Sequence, residues 1–122
     1  MNKVHEIKRA QRASLLLRAI STLFSSVARD DAALNGVTIN RVELSPDKST
    51  CYVYFYTAQG EEVFKNELLS RLILYKPSLR AALAKEIAGR YTPELIFKFD
   101  NAFEKSLRIE TLISGLKDKG EL

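Results

Sequence analysis

Two hydrophobic rhythms meet in the stretch from Glu61 to Phe99, and the rest of the chain is organised around it. Phe64, Leu68 and Leu72 recur every fourth residue, and Leu79, Leu83 and Ile87 do the same, with Ala82 between them. Both sets carry the period of an amphipathic helix. Between them stands Tyr75-Lys76-Pro77-Ser78. Proline lacks an N–H and crowds the residues before it, so the pattern predicts a helix, a sharp bend and a second helix. Pro77 or Ser78 opens the second helix in this reading, and Gly89 closes it. Thr92-Pro93 then forces extension, and Leu95, Phe97 and Phe99 alternate as a strand with one buried face.

Upstream, residues 3–29 read as one helix. His5, Arg9, Arg12, Leu16, Ile20, Leu23 and Val27 fall on one stripe, apolar in its second half and basic in its first, with Lys8 beside it. Unpaired arginines do not enter a core. The first turns therefore either frame an anionic surface or form a solvated terminus. Asp30-Asp31 and Asn35-Gly36 mark a loop. Val37–Leu44 reads as a strand whose apolar phase slips near Asn40-Arg41, the signature of a bulge. Ser45–Ser49 has turn composition. Cys51 to Thr57 places Cys51, Val53 and Phe55 on one face and Tyr52, Tyr54 and Tyr56 on the other, completing a β-hairpin. Gly60 ends the hairpin region and Glu61-Glu62 starts the next helix. After Phe99, Asp100 or Asn101 caps a last short helix with Phe103, Leu107, Leu112 and Ile113 as its apolar positions. Residues 114–122 are polar and aperiodic, and a disordered tail is expected there. The order of elements is that of an α+β domain, a three-stranded sheet with helices on one face.

At 122 residues and 46% apolar composition, the chain is long enough for one domain with its own core. Nineteen Lys and Arg against fifteen Asp and Glu leave a net charge of +4, a modest bias toward an anionic partner. A lone cysteine, Cys51, excludes an internal disulfide framework and fits a reducing compartment. No apolar run reaches membrane-spanning length and no signal-peptide core is visible, so a cytoplasmic location without membrane attachment is expected.

Catalytic chemistry is poorly supplied. The single histidine, His5, lies in a terminal helix, and Cys51 alone, on a core face, builds neither a thiolate site nor a zinc site. The carboxylate pairs Asp30-Asp31 and Glu61-Glu62 suit a loop cap and a helix start. No phosphate loop or dinucleotide fingerprint occurs. No enzyme activity, metal, cofactor or small-molecule substrate is expected. What remains is positive charge: Lys3, Lys8, Arg9 and Arg12 on the first helix, and Arg71, Lys76, Arg80 and Lys85 around the bend. A bend would set Lys76 and Arg80 at a helix N-terminus, where free N–H groups attract phosphate. Alternatively, Arg80 and Lys85 only solvate a polar helix face. The three tyrosines are either a base-stacking platform or a half-exposed sheet face; no basic residue interleaves them, which favours the second.

Several segments together resemble the bacterial ribosome-binding factor A family. They are Arg9-Ala10-Gln11-Arg12, the run Val37 to Asp47, Val53-Tyr54, Tyr91-Thr92-Pro93-Glu94-Leu95 and Arg108-Ile109, in order over about residues 7–113. The resemblance implies a type II KH-like fold, helix-strand-strand-helix-kink-helix-strand, making residues 1–113 one RNA-binding domain. It also implies a non-catalytic, monomeric factor that binds the free or immature 30S subunit and 16S ribosomal RNA late in small-subunit maturation and in adaptation to cold. The family's kink usually reads Ala-x-Gly; here Tyr75-Lys76-Pro77 stands there. Its Asp-Pro-Arg-Leu before the first strand is Asp31-Ala32-Ala33-Leu34 in this chain. The expected phosphate contacts are Arg9, Arg12, Lys76 and Arg80, with Lys8, Arg41 and Lys85 secondary. The competing reading is a protein-interaction module that uses the tyrosine face or the last helix without touching RNA.

Overall fold

The computed structural model describes residues 3–58, 62–87 and 91–118. The element order is α1 (Lys3–Asp30), a 3-10 turn (Ala32–Leu34), β1 (Val37–Leu44), β2 (Thr50–Thr57), α2 (Glu62–Glu86), β3 (Glu94–Phe99) and α3 (Asn101–Asp118). The expected Gly60 and Glu61 boundary and the closing Gly89 lie outside the described residues.

The predicted stripe of α1 enters the core through Leu16 and Ile20, while Leu23 and Val27 pack at its margin. Phe24, one turn beyond Ile20, is more deeply buried than either of those two. Asp31 ends the helix and caps the following turn: its carboxylate accepts from Ala33 N at 3.0 Å. Gly36 then takes φ +81°, a conformation most side chains avoid, and lets the chain turn into β1.

β1 and β2 pair antiparallel, with the register slipping between Ile39 and Arg41. That is the bulge read from the phase slip. It lets Val37 and Ile39 before it, and Val42 and Leu44 after it, face the same core. The hairpin turn closes through Ser45 N to Thr50 O at 2.9 Å. Asp47 accepts from Ser49 N at 3.0 Å and from the Ser45 and Ser49 hydroxyls at 2.7 Å each. β3 lies parallel to β2, so α2 is the crossover between them, and the sheet order is β1-β2-β3. Cys51, Val53 and Phe55 of β2 and Leu95 and Phe97 of β3 pack under the two long helices.

The second helical stretch is not divided into two separate helices at the proline. α2 is one helix of 25 residues with Pro77 inside it, and Tyr75, Lys76, Pro77 and Ser78 all belong to it. Proline withholds one donor from the helix ladder. Against that stand Leu68, Leu72, Leu79 and Leu83, buried on one side of the same helix. Leu72 and Leu79 are seven residues apart, within about 20° of two full turns, so the two leucine rhythms remain in phase across the proline. Burying one continuous apolar face outweighs the lost hydrogen bond.

α3 begins under a cap from Asp100, whose Oδ1 accepts from Phe103 N at 3.1 Å. It is 18 residues long rather than short, and it continues to Asp118, so residues 114–118 are helical where a disordered tail was expected. Residues 119–122 lie outside the described residues. Gly115 is tolerated because a helical glycine costs only about 1 kcal/mol relative to alanine. The helix docks by its first turns. Phe103 meets Tyr56 with ring centres 4.9 Å apart, and Lys65 pairs with Glu104 at 3.3 Å. Its later apolar residues Ile109, Leu112, Ile113 and Leu116 are exposed.

Candidate nucleic-acid interface

The groove between the second half of α2 and the approach to β3 has a floor of small residues. Pro77, Ala81 and Ala84 line it from the helix and Thr92 from the facing segment, with Lys76, Arg80 and Glu94 at its walls. Pro77, Ala81 and Ala84 follow steps of four and three along α2, so they form one ridge on a single face. No long side chain projects from that ridge, and the helix backbone can be approached closely.

Arginines from two helices hold the segment before β3 through its carbonyl oxygens. Arg12 Nη2 donates to Tyr91 O at 2.6 Å. Arg80 Nε donates to Pro93 O at 3.1 Å, and its Nη2 donates to Thr92 O at 3.0 Å. Three consecutive carbonyls are thereby satisfied by two guanidinium groups, whose rigid fork of donors suits the task. Glu94 then reaches back over α2, with Lys76 Nζ 3.7 Å from one carboxylate oxygen and Arg80 Nη1 3.9 Å from the other.

The candidate cations thus separate into groups. Arg12, Lys76 and Arg80 converge on residues 91–94, and Lys85 stands exposed in the last turn of α2, four residues beyond Ala81. Lys8 is exposed on α1. Arg9 lies elsewhere, in a shallow recess shared with Arg41, Glu6 and Glu43. The helix N-terminus expected beside Lys76 and Arg80 is absent, because α2 passes through without ending. Their attraction for phosphate rests on side-chain charge alone.

Arg41 is held internally. It pairs with Glu43, donates from Nε to Asp100 Oδ2 at 3.3 Å, and stacks 3.7 Å above the centre of the Tyr54 ring. Burial works against its charge, but the carboxylates of Asp100 and Glu43 outweigh that and raise its pKa. Burial likewise pushes the Asp100 carboxyl up, while Phe103 N–H, Arg41 and Asn40 more than compensate and hold it below the ordinary range.

The reading of the tyrosine face also changes. Basic residues absent from β2 arrive from the neighbouring strands: Arg41 over Tyr54, and Lys98 over Tyr52 at 4.6 Å. Tyr56 packs against Phe99 and Phe103. The ring faces are in use within the protein, as expected of a half-exposed sheet face.

Sequence reasoning missed the cluster that anchors α2 just before its proline. Arg71 Nε donates to Asp31 Oδ2 at 2.7 Å and Tyr75 Oη donates to the same oxygen at 2.6 Å. The Arg71 and Tyr75 hydrogen bonds hold the Asp31 carboxyl down at about 2. The spacing of four between Arg71 and Tyr75 was visible as one helix face; their acceptor was not. The place of Glu94 beside Lys76 and Arg80 carries no sequence signal either, because the strand and the helix that bring them together are 14 to 18 residues apart along the chain.

Among the described residues no group of three or more His, Cys, Asp or Glu side chains is placed to hold a metal ion, and no helix is long and apolar enough to cross a membrane. Burial pushes the Cys51 thiol up to about 12, which makes it a core residue rather than a nucleophile. The side chain of His5 lies outside the described residues.

The sequence profile of the family described as Ribosome-binding factor A matches residues 8–113. A protein of that name from Prochlorococcus marinus is 33% identical over 111 residues, covering 90% of this chain and 83% of its own. The crystal structure of ribosome-binding factor A from Thermus thermophilus superposes with a TM-score of 0.62 at 30% identity, covering 74% of this chain and 93% of that one. A homology model of the Thermus thermophilus factor, fitted into a cryo-EM map of its complex with 30S, gives a TM-score of 0.58 at 30% identity, over 70% of this chain and 88% of that one. Matched in sequence over most of its length and in the course of its α+β, KH-like backbone, the chain belongs to the ribosome-binding factor A family.

Proposed function

We propose that this protein is a non-catalytic assembly factor of the small ribosomal subunit. It acts in the cytoplasm as a monomer, binding the free or immature 30S particle and its 16S RNA during late maturation, including growth in the cold. The observation that carries the RNA contact is the groove beside β3, where Lys76 and Arg80 flank a floor of Pro77, Ala81 and Ala84. A phosphodiester backbone needs cations at the edges of a surface it can approach closely, and this groove offers both. A Thermus thermophilus relative fitted into a map of its complex with 30S supports the choice of partner.

The cations divide by role. Arg12 and Arg80 shape the groove by holding residues 91–93, and Arg80 keeps Nη1 for the ligand side. Lys8, Lys76 and Lys85 contribute charge toward the RNA, with Arg9 and Arg41 at a separate edge of the surface. Charge reversal at Arg12 or Arg80 would disturb the fold as well as binding. Neutralising exposed lysines is the cleaner test.

Co-sedimentation with purified 30S subunits should therefore weaken in Lys8→Gln/Lys85→Gln, with an unchanged thermal melt. Wild-type affinity should fall steeply with salt, and the double variant should show a shallower slope, by about 0.7–0.9 for each lost phosphate contact. A wild-type affinity insensitive to salt would instead support docking through an apolar face, the protein-interaction reading.

A further inference from the structure

Among the described residues, Glu94 is the one carboxylate at the wall of a groove otherwise suited to an anion. Its two oxygens are divided between Lys76 and Arg80, one 3.7 Å from Lys76 Nζ and the other 3.9 Å from Arg80 Nη1. A phosphate has the same requirement, two oxygens shared between two donors. Both separations exceed hydrogen-bond length, and the Glu94 side chain is 52% exposed, so these contacts are weak and easily exchanged. Arg80 cannot swing away to relieve the competition, because Nε and Nη2 are tied to the carbonyls of Pro93 and Thr92. Glu94 itself is fixed at its backbone by the bond from its N–H to Ser49 O at 2.9 Å. Its side chain is the movable part.

We propose that Glu94 is an affinity-setting residue of this groove: its carboxylate occupies the place of an RNA phosphate between Lys76 and Arg80, and binding displaces it. The inference rests on the function proposed above. An incoming phosphodiester exchanges with the carboxylate at Lys76 and Arg80 Nη1, and the freed Glu94 turns to solvent beside a new negative charge. The exchange is close to balanced, since one anion replaces another. Binding at this point is correspondingly weaker than the two cations alone would provide, and release is faster.

The test compares Glu94→Gln with wild type in binding to purified 30S subunits across a salt series. Glutamine keeps the shape and removes the charge. The control is Glu110→Gln, an exposed position on α3 that changes net charge by the same amount. Glu94→Gln should bind at least threefold more tightly than both wild type and Glu110→Gln, with the salt slope of wild type, because the same phosphate contact at Lys76 and Arg80 is made in both and only the competing carboxylate is gone. In a Lys76→Gln background the gain should shrink, because half of the site is gone. A Glu94→Gln affinity equal to that of the control, or below wild type with an unchanged melt, overturns the proposal. A wild-type protein that does not bind 30S at all removes the underlying reading, and this inference with it; the wild-type measurement alone separates that failure from failure at Glu94.

Discussion

Tyr75 and Asp31, 44 residues apart in sequence, meet through a 2.6 Å hydrogen bond from the phenol to the carboxylate. The bond ties the middle of α2, two residues before its proline, to the turn that follows α1. Arg71 reinforces it from one helical turn earlier. On the other side of the proline, Arg80 ties the same helix to the segment before β3. Pro77 therefore stands between two independent tertiary anchors.

That cluster predicts a pH dependence. Asp31 is held at about 2, below its ordinary 3.8, so the folded protein takes up this proton less readily than the unfolded chain. Its stabilising contribution is complete above the ordinary value and disappears as pH falls from there through about 2. Asp31→Asn should lower the urea midpoint at neutral pH, and its gap from wild type should close as pH falls through that window. Tyr75→Phe, which removes one of the two bonds to Oδ2, should show a smaller gap with the same trend.

Continuity of α2 through a proline predicts a stabilising substitution. Pro77 is exposed, so its replacement sacrifices no buried packing. Pro77→Ala restores a donor to the helix ladder and should raise unfolding free energy by about 2 kcal/mol, part of the roughly 3 kcal/mol propensity difference. Urea denaturation measures it directly. An unchanged or lower stability would mean that the helix at Pro77 is not shaped like its neighbours.

The buried face of the same helix predicts an asymmetry between its two sides. Leu83 is fully buried, whereas Leu74 is 75% exposed. Leu83→Ala should cost about 2–5 kcal/mol through lost transfer energy and a cavity. Leu74→Ala should remain within about 0.5 kcal/mol of wild type. Comparable losses at the two positions would contradict the helix orientation.

Cys51 predicts a reactivity. Burial raises its thiol to about 12, so little thiolate exists near neutral pH and the sulfur is inaccessible. A thiol-labelling reagent at pH 8 should leave the folded protein unmodified and label it fully in denaturant. Rapid labelling of the native state would place Cys51 outside the core.

Hydrophobic periodicity located most of the elements and the faces they bury, though it did not set the ends of α2 and α3. Alternation along β2 assigned Cys51, Val53 and Phe55 to the core, because successive strand side chains must point opposite ways. The slip at Asn40 revealed the bulge for the same reason. The leucine rhythm around Pro77 also carries the signal of one helix, since Leu72 and Leu79 remain in phase across the proline. Tertiary structure alone decided which distant groups meet. Asp31 receives Tyr75 and Arg71, Lys98 covers Tyr52, and two arginines expected to hold phosphate hold the carbonyls of Tyr91, Thr92 and Pro93. Periodicity records which side of an element is buried. It does not record the partner of a long, flexible polar side chain, which depends on how elements far apart in sequence are brought side by side.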